Sequence, residues 1–207
     1  MDKNKKWIDY IIELQSLAQA GLTYGKDDYE QELYERIRHL SAMMIADISN
    51  NPGKQVEGLF CNEVGYQTPK IDTRAAIFKE DKILLVQEKN GTWSLPGGWC
   101  DVNVSVMENT IKEVKEEAGL DVVVKNVIAI QDREKHNQPI YAYKVCKIFM
   151  LCEVEGGVFK ENSETIGFDY FTKDNLPILA TEKNNEEQIQ MCFDAYKAGE
   201  KWKTYFD

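Results

Sequence analysis

A chain of 207 residues, 43% of them hydrophobic, suits one medium domain or two small ones with a proper core. Its formal net charge of −10 argues against a general nucleic-acid coat protein, because non-specific binding draws on clustered positive charge. The five cysteines, Cys61, Cys100, Cys146, Cys152 and Cys192, contain no C-x-x-C pair, so reduced thiols are expected rather than zinc or a disulfide framework.

The first predicted helix covers residues 4–20, where Trp7, Ile8, Ile11, Leu14, Leu17 and Ala18 form a helical stripe and Gly21 is a plausible stop. Asp9 and Glu13 break any clean apolar core there, so a signal peptide is not expected, nor is a membrane segment, and the protein is read as cytoplasmic. A second helix runs from Asp28 to Ile48 with Leu33, Ile37, Leu40, Met44 and Ile48 on its inward side. Asn50-Asn51-Pro52-Gly53 ends it. Two helices enclose little core alone, so residues 1–66 are expected to form a helical domain that pairs in a homodimer. Past Gly65-Tyr66-Gln67-Thr68-Pro69 the pattern changes to short strands. Residues 73–78 and 83–87 flank Lys79-Glu80-Asp81-Lys82 as a hairpin, and 122–130, 141–154 and 167–171 supply further strands. With one helix among them and a last one at 185–198, residues 67–207 are expected to fold as an α/β sandwich with a mixed sheet.

The internal helix carries the chemistry. Trp93-Ser94-Leu95-Pro96-Gly97-Gly98 is a tight turn, Ser105-Val106-Met107-Glu108 is a capping-box start, and Gly119 closes the helix. Glu113, Glu116 and Glu117 are spaced three and four residues apart, which predicts three carboxylates on one face with only a bound cation to neutralise them. Such hard oxygen ligands suit Mg²⁺ or Mn²⁺. The plain alternative is a solvated acidic helix face.

The segment from Gly98 to Leu120 resembles the Nudix box, the signature of hydrolases acting on nucleoside diphosphates linked to another group. Gly98, Glu113, Val114, Glu116, Glu117, Gly119 and Leu120 match the pattern. Val104 stands where the family usually has Glu, and Lys112 where it usually has Arg. Valine contributes no charge at its position, and an ammonium cannot reproduce a guanidinium fork. The resemblance implies the Nudix α/β/α sandwich over roughly residues 70–207. It also implies metal held by Glu113, Glu116, Glu117 and the Gly97 carbonyl. Glu117 or Glu164 would be the base for an attacking water, and Arg74 a side chain offered to substrate.

Asp132-Arg133-Glu134-Lys135-His136 reads as a charged loop, either a solvated turn or a place where Arg133, Lys135 and His136 meet substrate. Trp93 and Trp99 are packing residues or base-stacking ones. The helical extension, the loop ending Lys135-His136 and the two box departures together are similar to bacterial CDP-choline pyrophosphatases, implying CMP and phosphocholine as products. An ADP-ribose pyrophosphatase, an RNA-end hydrolase and a non-catalytic nucleotide sensor are the alternatives, with extended RNA binding disfavoured by the net acidity.

Overall fold

The computed structural model describes residues 3–49, 64–139, 141, 143–159 and 165–207. The chain divides into two compact units, Met1–Pro69 with Ile140–Lys144, and Lys70–Pro139 with Val145–Asp207.

The first unit is built on helices α1 (Lys3–Tyr24) and α2 (Asp28–Ser49). Helix α1 continues through the predicted stop at Gly21, whose carbonyl accepts the Gly25 N–H at 2.8 Å. Asp27 then caps α2, its Oδ1 accepting the backbone N–H groups of Tyr29 and Glu30. The seam between the helices is made by Ile11 and Ile12 against Ala42, Ile45 and Ala46. The expected inward stripe of α2 is therefore corrected. Leu33, Ile37, Leu40, Met44 and Ile48 are exposed, Leu40 by 52%, because the small residues Ala42 and Ala46 take the inner side and let the helices approach. The predicted break at residues 50–53 lies outside the described residues. Lys144 pairs with Asp9 at 2.8 Å. The strand expected from Tyr141 begins only at Val145, and Tyr141 to Lys144 belong to the helical unit.

The second unit contains strands β1 (Lys70–Lys79), β2 (Lys82–Glu88), β3 (Trp93–Ser94), β4 (Leu120–Asp132), β5 (Val145–Gly157), β6 (Thr165–Phe171) and β7 (Tyr205–Phe206). It also contains helices α3 (Val106–Ala118), α4 (Arg133–His136) and α5 (Glu186–Ala198). The sheet order is β3-β2-β1-β5-β4-β7, with β6 also pairing β2. Strand β1 pairs parallel with β5 and antiparallel with β2, so the sheet is mixed, as expected. Side chains of β1 alternate between two cores. Ala75 and Ile77 join Val114 and Ala118 of α3, while Ala76 joins Ile189, Cys192 and Phe193 of α5. The observed α/β/α sandwich places α3 and α5 on opposite faces. Among the described residues, no helix is long and apolar enough to cross a membrane.

Candidate active site

Helix α3 is fixed at both ends by its own sequence. The Ser105 hydroxyl accepts the Glu108 N–H, and the Glu108 carboxylate accepts the Ser105 N–H at 2.8 Å. Gly119, at φ 69°, closes it in the left-handed conformation. Val114 and Ala118 anchor one side in the core, which brings Glu113 and Glu117 into a buried position.

Opposite them, residues 96–100 run beside β1. The Pro96 carbonyl accepts the Ala75 N–H at 2.8 Å, the Gly98 carbonyl accepts the Thr73 N–H at 2.9 Å, and Cys100 donates to the Ile71 carbonyl at 2.9 Å. At Gly97, φ is 142° and an added Cβ would sit 1.9 Å from the Thr73 carbonyl oxygen, so only glycine fits this approach. The Gly97 N–H donates to Glu117 Oε2 at 2.8 Å. Burial pushes the Glu117 carboxyl up to about 7, against the opposing pull of Arg74 and of the Gly97 hydrogen bond, with Glu113 adding to the rise.

The three glutamates are not equivalent. Glu113 and Glu117 are buried, whereas Glu116 lies on the flank of the helix with 59% of its side chain exposed. Lys112 is 3.4 Å from Glu113 and 3.9 Å from Glu116, and it pairs with Asp101 at 2.7 Å. The expectation that only a bound cation could neutralise this face is thus corrected: Lys112 and Arg74 both act on it. The hydrogen bond to Asp101 holds the Lys112 ammonium above its usual range. Val104 contributes no charge, and Asp101 is the carboxylate that meets position 112.

Among the described residues, no group of three or more His, Cys, Asp or Glu side chains converges on a single point. The donor set nonetheless fits a divalent cation. Two buried carboxylates press on a glycine turn, the end of the Glu113 side chain lies against Gly98, with Oε2 2.8 Å from where a Cβ would stand, and Glu116 projects from the same helix one residue before Glu117.

The expected substrate contacts are dispersed. Arg74 is buried and clamps Asp72 through Nε at 3.0 Å and Nη2 at 2.7 Å, while Nη1 donates to the Leu95 carbonyl at 3.2 Å. The predicted loop at 132–136 is instead one helical turn capped by Asp132. Arg133 is buried there, donating to Glu134 and to the carbonyls of Pro139 and Glu182. Lys135 is exposed, and His136 Nε2 meets the Asp207 carboxylate. Glu164 lies outside the described residues. Trp93 packs edge-on against Phe171, and Trp99 is half exposed. Sequence reasoning passed over Asp72, Asp101, Lys147 and Asn184. Asp101, Lys147 and Asn184 acquire meaning through partners 11 to 89 positions away, and Asp72 through its place beside Lys147 on the neighbouring strand.

The α/β/α sandwich thus sets a carboxylate-bearing helix against a glycine turn, an arrangement suited to a divalent cation and a phosphoanhydride. The profile described as NUDIX domain matches residues 68–192, and that described as UDP-X-like, N-terminal oligomerisation domain matches residues 5–60. The chain is similar to the putative ADP-ribose pyrophosphatase YjhB of Bacillus subtilis, 41% identical over 98% of this chain and 97% of that one. It is also similar to a crystal structure of an ADP-ribose pyrophosphatase from Streptococcus suis, 56% identical over 68% of this chain and all of that one, with a TM-score of 0.64. A structure of a UDP-X diphosphatase covers all of both chains at 29% identity and a TM-score of 0.64. The chain belongs to the Nudix family and is a Nudix pyrophosphohydrolase.

Proposed function

We propose that this enzyme hydrolyses the diphosphate of a nucleoside diphosphate conjugate, releasing a nucleoside monophosphate and a phosphorylated remainder, with ADP-ribose as the leading substrate. The observation that carries the reading is the contact between Glu117 and the Gly97 N–H, with Glu113 beside it. It sets two buried carboxylates against the glycine turn of the box. The names borne by the Bacillus subtilis and Streptococcus suis relatives support ADP-ribose. CDP-choline remains the competing substrate because of the helical extension and the departures at Val104 and Lys112.

Mg²⁺ or Mn²⁺ on Glu113, Glu116, Glu117 and the Gly97 carbonyl would neutralise the diphosphate oxygens that otherwise repel a nucleophile. Within the chain, α3 and the turn at 96–100 hold those donors in place. A carboxylate, Glu117 or Glu164, takes the proton of the attacking water. The water oxygen bonds to one phosphorus as the bridging P–O bond breaks, and the leaving phosphate carries away the electron pair. Net acidity favours a compact substrate over an extended RNA, and retention of all three box glutamates favours catalysis over nucleotide sensing.

For the assembly we propose a homodimer through residues 1–66, supported by the exposed apolar stripe of α2. Coupled phosphate release on ADP-ribose, CDP-choline and a UDP-sugar, with and without Mg²⁺, tests substrate and metal together. Glu117→Gln should lower turnover at least about a hundredfold while the fold is kept. Near-normal turnover in that variant at saturating Mg²⁺ would refute the site assignment.

A further inference from the structure

We propose that Lys147 is a positioning residue for the catalytic turn, acting on it from the face of the sheet opposite α3. The inference rests on the reading that the turn at Gly97 and Gly98 serves catalysis.

Lys147 lies on β5 directly across from Asp72 on β1, and both point to the α5 side along with Arg74. Only 1% of the lysine side chain is exposed. Its Nζ donates to the Lys183 carbonyl and stands 3.6 Å from Asp72 Oδ2. From these two partners, two arms converge on one residue of the turn. Asp72 holds the Arg74 guanidinium through two hydrogen bonds, and Arg74 donates to the Leu95 carbonyl. Asn184, next in the chain to Lys183, accepts the Leu95 N–H at its Oδ1 at 2.8 Å. Leu95 is thus gripped by both its N–H and its C=O, and its side chain is fully buried. Two residues further on, the Gly97 N–H meets Glu117. Lys147 touches the start of each arm, Asp72 in one and the Lys183 carbonyl in the other.

A methionine would fill nearly the same space without the cost of burying an amine. If Lys147 only filled volume, that exchange would leave the turn alone. The link to Lys183 is a donated hydrogen bond, which an amine makes in either protonation state. The role is therefore one of geometry rather than charge.

The test uses the full-length protein. Lys147→Met should lower kcat about tenfold with KM within about twofold, the pattern expected when aligned groups are displaced rather than binding lost. Hydrogen exchange at the Leu95 and Gly97 amides should quicken by at least about tenfold while the melting midpoint holds or rises. Lys147→Gln keeps a donor and should recover most of the turnover. A folded Lys147→Met with unchanged exchange and unchanged kcat overturns the proposal, as does a loss of kcat that only tracks the unfolded fraction. If Lys147→Met does not fold, Lys147→Leu, which also removes the donor, is combined with Asn184→Ala. Non-additive effects on Gly97 exchange support the linkage between the arms, and additive ones overturn it. Exchange needs no catalytic assignment, so an active Glu117→Gln would sink the site reading while leaving the positioning result standing.

Discussion

Gly97→Ala separates close backbone approach from mere preference for a small residue. The new Cβ would lie 1.9 Å from the Thr73 carbonyl oxygen and 3.0 Å from the Arg74 Cα, all backbone atoms of a central strand. The turn must therefore retreat by about 1.5 Å to regain ordinary van der Waals separation. That movement weakens the bonds from Thr73 N–H to the Gly98 carbonyl and from Ala75 N–H to the Pro96 carbonyl, each worth about 1 kcal/mol net. Holding alanine at φ 142° adds strain of about 1–3 kcal/mol, so the total loss of stability should be about 3–5 kcal/mol. The same displacement carries the Gly97 N–H away from Glu117, and misplacement on this scale costs about a hundredfold in turnover. Gly98→Ala is the control. Its Cβ would meet only the end of the Glu113 side chain, at 2.8 Å, which can swing aside. It should fold nearly as well as the parent and lose activity only through Glu113. Urea unfolding and steady-state turnover on both variants give the comparison. A Gly97→Ala protein within about 1 kcal/mol of the parent would refute the steric argument.

Lys112→Arg should be tolerated, and Lys112→Ala should change stability by less than about 1 kcal/mol because the ammonium is itself part exposed and its partners Asp101 and Glu116 are exposed. The alanine variant should raise the half-saturating Mg²⁺ concentration by releasing Asp101 and loosening the acidic face; an unchanged Mg²⁺ titration excludes the residue from the site. Burial lowers the Lys147 pKa to about 7, against the pull of Asp72. Between pH 7 and the unfolded value near 10.5 the unfolded chain keeps a proton that the folded one lacks, so this group adds stability as pH rises and withdraws it as pH falls toward 7. Relative to Lys147→Met, the parent should gain up to about 1.4 kcal/mol per pH unit between pH 7.5 and 9 in urea titrations; parallel curves refute the depressed pKa. Light scattering at micromolar concentration should show a dimer, and Leu40→Glu on the exposed stripe of α2 should shift it toward monomer.

The features legible in the sequence are those fixed by neighbouring residues. Ser105 and Glu108 close a hydrogen-bonded box within one turn, and Gly119 ends the same helix, so the start and stop of α3 follow from local chemistry. The hairpin over Lys79–Lys82 is equally local, with Glu80 and Asp81 both at positive φ. Spacing alone could not tell that Val114 and Ala118 would rotate Glu116 toward solvent. For α2 the larger apolar residues made the more visible stripe, yet two alanines and Ile45 formed the seam. Arg133 and Glu134 looked like surface charge because nothing nearby in sequence discloses the carbonyls of Pro139 and Glu182 that receive the guanidinium. Lys147 was hidden for a related reason: a lone lysine in a strand usually points to water, and its partners are Asp72, brought by parallel pairing with β1, and the Lys183 carbonyl 36 positions on.

The hydrogen bond between Leu95 and Asn184 spans 89 positions of sequence, which gives the site a history as well as a geometry. On a ribosome adding about 5–20 residues per second, roughly 5–20 s separate the synthesis of the glycine turn from that of the residue that fastens its Leu95 N–H. The box helix is complete once Ala118 has been added, whereas β1 lacks its parallel neighbour until β5 is made and the turn lacks its second tether until Asn184. The full set of contacts on the turn therefore becomes available only after β5 and the segment preceding α5 have been synthesised. A product truncated before Asn184 would carry the whole Nudix signature without the grip that sets it in place.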